Sequence, residues 1–318
     1  MNLGFSESQE MLRRTAREFL EANCPTTLVR ELENSEAGYS RALWKKMAQL
    51  GWLGILFPSR YGGTDGTLID LMPLSEEIGR AILPSPMITS MVLSGLSLLD
   101  FGNEEQKASI LPRMATGDVI ATLAITEPID QRIENPMLVH AIADGESYII
   151  NGTKLFVPYA NIADYLICVT RVRLDNESKS PTGAQGAAST LFVIDSETPG
   201  ITITPLESMG GYKQHEILFT NARIPSANML GGLGCGLAAL ARATEYATII
   251  QCAEMVGRAE KVLDMVVEYS KVRMAFGRPI GNFQAIQHRC ADLRVAVDGA
   301  RLVTCQAAWK LTENMPCT

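Results

Sequence analysis

At 318 residues the chain has the length of roughly two domains, and 47% hydrophobic against 20% charged residues suffices for large buried cores. The formal charge is −7, from 28 Lys and Arg against 35 Asp and Glu. That balance argues against a nucleic-acid binder, which needs a basic face to displace counterions from phosphates.

Seven cysteines, Cys24, Cys168, Cys235, Cys252, Cys290, Cys305 and Cys317, form no CxxC pair and read as reduced thiols of a cytoplasmic protein. His140, His215 and His288 stand too far apart to make a metal motif. The opening MNLGFSESQE has neither a signal peptide's basic-then-apolar signature nor an Arg-rich presequence. The uncharged stretch from Ala81 to Leu99 contains Pro84, Pro86 and four serines, so a buried core segment fits it better than a membrane span.

In chain order, the first third reads as helices. Ser6 and Gln9 make a capping-box pair ahead of Leu12, Ala16, Phe19 and Leu20 at helical spacing. Leu43, Trp44, Met47 and Leu50 repeat the pattern and stop at Gly51. LMPLSEEIGRAI forms a further helix, and GNEEQKASILPRMATGD a short one bounded by Gly102 and by Pro112 to Gly117. From Ala121 the period changes to strands: ATLAIT, MLVHAIA, SYIING, TKLFV, YLICVTRV, STLFVI, ITITPL and EILFT. Asp144-Gly145 marks a hairpin turn, and the set predicts an antiparallel sandwich or barrel. The polar segment LDNESKSPTGAQGAAS reads as a mobile hairpin loop.

After Gly236 the pattern is helical again. Two long helices, over 237–273 and from Gln284 to about Thr312, need partners along their length and predict a bundle. GGLGCGLAA at 231–239 has a dinucleotide-like glycine spacing, but it precedes a bundle helix rather than sitting in a βαβ unit. A flexible lead-in to that helix is the better reading. The expected fold is multidomain α+β: an N-terminal helical domain over 1–120, a middle antiparallel β-sandwich or barrel over 121–230, and an incomplete helical bundle over 231–318.

Several pieces in this order resemble the acyl-CoA dehydrogenase family: PSRYGGTDG at 58–66, GNEEQKASILPRMATGD at 102–118, AITEP at 124–128, YIINGTKLFV at 148–157, NARIPSANMLGG, and RMAFGRPIGNFQAIQHRCADL at 273–293. The resemblance implies FAD between the middle domain and the bundle, reaching a neighbouring subunit's bundle. It implies removal of a proton from Cα of an acyl-CoA thioester and of a hydride from Cβ. That chemistry needs a carboxylate base, a flavin N5 facing Cβ and donors polarising the thioester oxygen. It further implies an electron-transfer flavoprotein as electron acceptor and a homo- or hetero-oligomer, as a dimer of dimers, with no nucleic acid, membrane span or metal.

By the same resemblance Arg273 holds the flavin pyrophosphate, in keeping with guanidinium geometry and charge. Phe276 and Gln284 join it in a contact across subunits. Ile125 and Thr126 in AITEP correspond to the family's flavin-ring contact, and Phe156, Val157 and Pro158 align with its Trp-Ile-Thr. The chain departs from the pattern at Pro158, which offers neither N–H nor hydroxyl. It departs again at Ile129, Asp130, Gln131, Arg132, Ile133, Glu134 and Asn135, which replace the usual Gly-Ala-Gly-Ser-Asp loop.

One family position for the base corresponds by register to Ala247, which cannot take a proton. Glu245 faces about 200° away, and Glu254 lies on the same helix face but about 10 Å along the axis. The other family position lies after a fourth bundle helix, beyond Thr318, so no catalytic residue is assigned. The apolar faces of 237–273 and 285–311 are expected to lie uncovered in this stretch alone. The leading expectation is a dehydrogenase of acyl-CoA. The alternatives are a non-catalytic partner subunit of a heteromeric dehydrogenase, and an acyl-CoA oxidase or flavin monooxygenase on the same fold.

Overall fold

The computed structural model describes residues 4–128, 138–173, 188–210 and 212–316. The 129–135 segment and nearly all of LDNESKSPTGAQGAAS lie outside the described residues. Eight α-helices occur among the described residues: α1 (Glu7–Asn23), α2 (Thr26–Asn34), α3 (Arg41–Gln49), α4 (Leu68–Ala81), α5 (Leu96–Phe101), α6 (Glu104–Ala115), α7 (Gly236–Val272) and α8 (Gln284–Thr312). Strands β1 (Ala121–Ala124), β2 (His140–Asp144), β3 (Ser147–Pro158), β4 (Tyr165–Arg173), β5 (Ala188–Asp195), β6 (Ile201–Leu206), β7 (Gln214–Pro225) and β8 (Met229–Leu230) form one sheet, and β9 (Met274–Ala275) with β10 (Arg278–Pro279) a separate hairpin. The order along the chain is therefore helical, then strand-rich, then helical. The contacts divide the chain into two compact units, one of residues 1–30, 66–83 and 248–318, the other of 31–65 and 84–247.

The first unit is helical. α1 starts as its sequence requires, with the Gln9 amide donating to Ser6 Oγ and the Ser6 amide donating to Gln9 Oε1. α4 begins at Leu68, three residues before the apolar pattern suggests. Asp70 Oδ2 accepts from both the Thr67 amide and the Thr67 hydroxyl, each at 2.8 Å, and this polar cap is invisible to hydrophobic periodicity. α4 and α7 cross with their backbones in contact. A Cβ on Gly79 would lie 2.0 Å from the Glu254 carbonyl oxygen, and one on Gly257 would lie 1.8 Å from the Glu76 carbonyl oxygen.

Beside that crossing, the carboxylates of Glu76, Glu77 and Glu260 lie buried under arginines from three helices. Arg17 of α1 grips Glu77 in a fork, at 2.6 and 3.0 Å. Arg301 of α8 spans Glu76 at 3.0 Å and Glu260 at 3.0 Å, while Arg13 lies 3.4 Å from both Glu77 and Glu260. On the apolar side, Val256, Leu263 and Val297 form a cluster with Val267 packed against it, and Cys305 and Ala308 of α8 are buried.

Glu254 is buried with Arg258 at 2.9 Å, and burial pushes its carboxyl up to about 7 against the opposing pull of that arginine. A carboxyl raised in the folded state binds a proton more tightly there than in the unfolded chain. Its effect on stability is therefore a loss that sets in as pH rises from the ordinary carboxylate range and is complete above about 7. Relative to Glu254→Gln, the wild type should lose on the order of 3 kcal/mol between pH 5 and pH 8. Urea unfolding of both proteins at the two pH values measures this, and parallel pH profiles would refute it.

The second unit carries the sheet. Its strand order is β6-β7-β3-β2-β4-β5-β8, with β1 beside β4. Most neighbours are antiparallel, as the hairpin signals predict, but β1–β4 and β2–β4 run parallel, so the sheet is mixed. SYIING and TKLFV join into the single strand β3. The β2–β3 loop is Gly145–Glu146, one residue later than Asp144-Gly145, and Gly145 takes the positive φ of 63°. Inward side chains such as Ile150, Leu166, Phe192, Ile194, Ile217 and Phe219 make the core.

α3 ends where the sequence places the stop, with Gly51 at φ 76°. α6 ends at Ala115, inside the Pro112 to Gly117 boundary that the sequence sets, and it tolerates Pro112, whose missing N–H costs a single intrahelical bond. The uncharged 81–99 stretch is buried as a π-helical run, Ile88–Gly95, followed by α5. Ser94 Oγ donates to the Thr89 carbonyl at 2.9 Å, and Ser90 Oγ accepts the Ala121 amide at 3.1 Å. Among the described residues no helix is long and apolar enough to cross a membrane.

Candidate functional site

In the sheet unit, five of the residues singled out by sequence converge at the end of β1 and the end of β3. The Leu155 amide donates to the Thr126 carbonyl at 2.8 Å, and the Thr122 hydroxyl donates to the Pro158 carbonyl at 2.6 Å. Ile125, Thr126, Phe156, Val157 and Pro158 are thereby neighbours. The β3–β7 register slips between Lys154 and Val157, and inside this bulge Phe156 takes φ 54°. Positive φ is costly for an aromatic residue, on the order of 1–2 kcal/mol. Its result here is to turn Val157 into the core, 1% exposed, and the Phe156 ring outward, 54% exposed. Thr126 is exposed, and its hydroxyl has no hydrogen bond among the described residues.

Beneath Thr126 lies a side chain that the motif reading passed over. Lys154, 0% exposed, reaches from β3 to the Ile125 carbonyl at 3.0 Å and to Glu127 Oε1 at 2.6 Å. Glu127 Oε2 in turn accepts the amides of Leu138 and of Val139, the latter at 3.3 Å. A lysine in the middle of an apolar strand, YIINGTKLFV, was the available signal. On the far side of Val157, its register partner His215 is buried, and its Nδ1 has no hydrogen bond among the described residues. Burial lowers the pKa of that imidazole. His215 borders a cavity of about 850 Å³ that also meets Glu33, Asn161 and Lys213.

In the helical unit, Arg273, Phe276 and Gln284 occupy the connection between α7 and α8. Met274–Ala275 pairs with Arg278–Pro279, leaving Phe276 and Gly277 as a two-residue loop with φ 52° and 78°. Positive φ at both positions matches the twist of a tight hairpin. Phe276 stands 94% exposed, edge-on to Phe283 at 6.1 Å between ring centroids, and Arg278 stacks on Phe283 at 4.3 Å. Arg273 is exposed, with no carboxylate partner among the described residues, and Gln284 opens α8 on its exposed side.

On α7, Ala247 is buried at 9% exposure and Glu245 is exposed, so the two do face different ways. Glu254 is engaged by Arg258, as a structural contact predicts. Gly231, Gly232 and Gly234 all have positive φ in the lead-in to α7, with no βαβ unit around them. Among the described residues no group of His, Cys, Asp and Glu could hold a metal ion.

Three family profiles match consecutive stretches: the acyl-CoA dehydrogenase N-terminal domain at residues 6–118, the middle domain at 122–222 and the C-terminal domain at 234–318. A probable acyl-CoA dehydrogenase, YngJ, of Bacillus subtilis (strain 168) is 32% identical, over 100% of this chain and 83% of its own length. The chain belongs to the acyl-CoA dehydrogenase family. Solved members share its fold. Butyryl-CoA dehydrogenase from Megasphaera elsdenii superposes with a TM-score of 0.85 at 26% identity, over 99% of this chain and 82% of that one. The ChsE4–ChsE5 complex from Mycobacterium tuberculosis does so with 0.84 at 27% identity, over 98% and 80%.

This family is flavin-dependent, and the residues described above suit such a group in three respects. Within the sheet unit, the exposed Phe156 ring offers a flat apolar surface, and the Thr126 hydroxyl beside it has no hydrogen bond among the described residues; within the helical unit, Arg273, with no carboxylate partner among the described residues, is a guanidinium of the kind that matches a pyrophosphate. Among the described residues, this chain differs from the family pattern at Pro158. Pro158 has no N–H to give, and its carbonyl is already taken by Thr122.

Proposed function

We propose that this chain is a flavoprotein oxidoreductase that takes a proton from Cα and a hydride from Cβ of an acyl-CoA thioester, with its residues divided among three domains at 1–120, 121–230 and 231–318. The observation that carries this reading is the bulge of β3, where a strained backbone turns Phe156 outward beside the exposed Thr126. FAD, when bound, supplies the hydride acceptor. Phe156 packs on its ring system, Thr126 donates to it, and Val157 closes the apolar floor behind. Arg273 neutralises the pyrophosphate, with Phe276 and Gln284 of the same hairpin beside it; by family resemblance that contact is made across subunits. An electron-transfer flavoprotein takes the electrons onward. The exposed apolar residues of α7 and α8, among them Val262, Met265, Val272, Val295 and Val303, suit an oligomer.

The decisive experiment is the visible spectrum of the purified protein before and after adding acyl-CoA. A flavin band that bleaches on addition supports dehydrogenation, and absence of bound flavin refutes it. Arg273→Ala should weaken flavin retention at least tenfold while leaving the unfolding midpoint unchanged, since the side chain is exposed and has no carboxylate partner among the described residues. Flavin titration of the apoprotein measures this, and equal affinities would remove Arg273 from the pyrophosphate.

A second reading is favoured by Ala247. With no carboxylate at that register, the chain would serve as the non-catalytic partner of an active homologue. Flavin content and activity that appear only on mixing with a second subunit would select that reading.

A further inference from the structure

Lys154 is an expensive residue for its position. It is 0% exposed on a strand whose register partner is Ile217, also 0% exposed, and an unpaired ammonium there would be strongly destabilising. A well-packed apolar side chain would serve the core as well or better, because buried ion pairs often contribute little net stability. What Lys154 does that methionine could not is reach two acceptors at once. Its ammonium holds the Ile125 carbonyl at 3.0 Å and Glu127 Oε1 at 2.6 Å. The other oxygen of Glu127 then receives the Leu138 and Val139 amides, 11 and 12 residues further along the chain. With the Leu155 amide on the Thr126 carbonyl at 2.8 Å, every residue from Ile125 to Glu127 is tied to β3 by a polar bond or a charge.

We propose that Lys154 and Glu127 are positioning residues: together they set the backbone of 125–127 and the Leu138–Val139 lead-in to β2, and so fix the direction in which Thr126 presents its hydroxyl. The geometry of one strand is thus transmitted to the loop beside it through a single buried ammonium. Its bearing on the cofactor rests on the flavin reading above. Lys154 touches no reacting atom. It acts through Ile125 and Glu127, so its removal should be felt locally and in cofactor geometry rather than as a general loss of fold.

The test uses the full chain as Lys154→Met and Glu127→Gln, with hydrogen exchange followed at three amides, those of Leu138, Val139 and Leu155. Exchange at Leu138 and Val139 should accelerate at least tenfold in Lys154→Met, with Leu155 accelerating less. The amides of Ile217 and Phe219 in β7 should stay unchanged. Flavin affinity should fall at least tenfold in parallel, and the midpoint potential of the flavin that remains should shift. Acceleration spread equally over Ile217 and Phe219 would mean a merely structural pair and overturn the proposal. So would local acceleration with flavin affinity and potential as in the wild type. Should Lys154→Met fail to fold, the double variant Lys154→Met with Glu127→Leu replaces the pair by apolar side chains and carries the same readouts. A wild type that takes up no flavin would refute the functional reading separately, and the three amides would still decide whether the pair sets this segment.

Discussion

Gly257→Ala is expected to destabilise the protein by about 3 kcal/mol, lowering its melting temperature by roughly 6–12 °C. The new methyl group would lie 1.8 Å from the Glu76 carbonyl oxygen, and that neighbour is helix backbone, which cannot rotate away as a side chain tip could. The gain of about 1 kcal/mol in helix propensity from replacing a glycine is too small to compensate. Gly299 in α8 provides the internal control, because a Cβ there meets nothing within 4 Å. Gly299→Ala should stabilise by up to about 1 kcal/mol. The same chemical change thus has opposite signs at two helical glycines. Urea unfolding of both variants checks it, and a neutral Gly257→Ala would mean that α4 and α7 do not touch.

Arg301→Met should cost about 3 kcal/mol, the lower end for breaking a buried ion pair. It strands Glu76, 1% exposed, and removes one of the cations around Glu260. Arg13 moderates the loss, since its guanidinium lies 3.5 Å from Glu76 and 3.4 Å from Glu260. Burial already pushes the Glu76 carboxyl above its ordinary range despite Arg301. Without Arg301 it rises further, so the deficit should shrink as pH falls toward 5 and the carboxyl takes a proton. Lys271→Met, which removes an exposed pair with Glu268 on the surface of α7, should change stability by less than about 0.5 kcal/mol. Guanidinium titrations at pH 5 and 8 separate these effects. Equal losses at Arg301 and Lys271 would show that the network carries no stability.

The sequence made the helices and most strands legible because their signals are local. Ser6 with Gln9, Gly51 after Leu50, and Gln284 as the start of α8 all depend on residues within a turn of one another. The parallel pairing of β1 and β2 with β4 was not legible, since strand alternation records which face is buried and not which neighbour runs beside it. The early start of α4 escaped for a different reason, as it depends on Asp70 folding back onto Thr67. In the site, motif spacing singled out Ile125, Thr126 and the Phe156–Pro158 stretch, which the structure brings side by side. It could not reveal that Phe156 and Phe276 have left-handed backbones, because nothing local demands positive φ of phenylalanine. Lys154 and Glu127 were missed because their meaning lies in a contact between side chains 27 residues apart in the sequence.

The hairpin between α7 and α8 has a consequence for recognition. Most exposed aromatic side chains become ordered when something binds them, and the lost motion subtracts from affinity. At Phe276 the backbone already has the left-handed conformation that a two-residue hairpin turn requires, and the ring stands exposed at its tip before any encounter. Less of a partner's binding free energy should therefore be spent on ordering the backbone of the tip, and more of it set by fit to the ring.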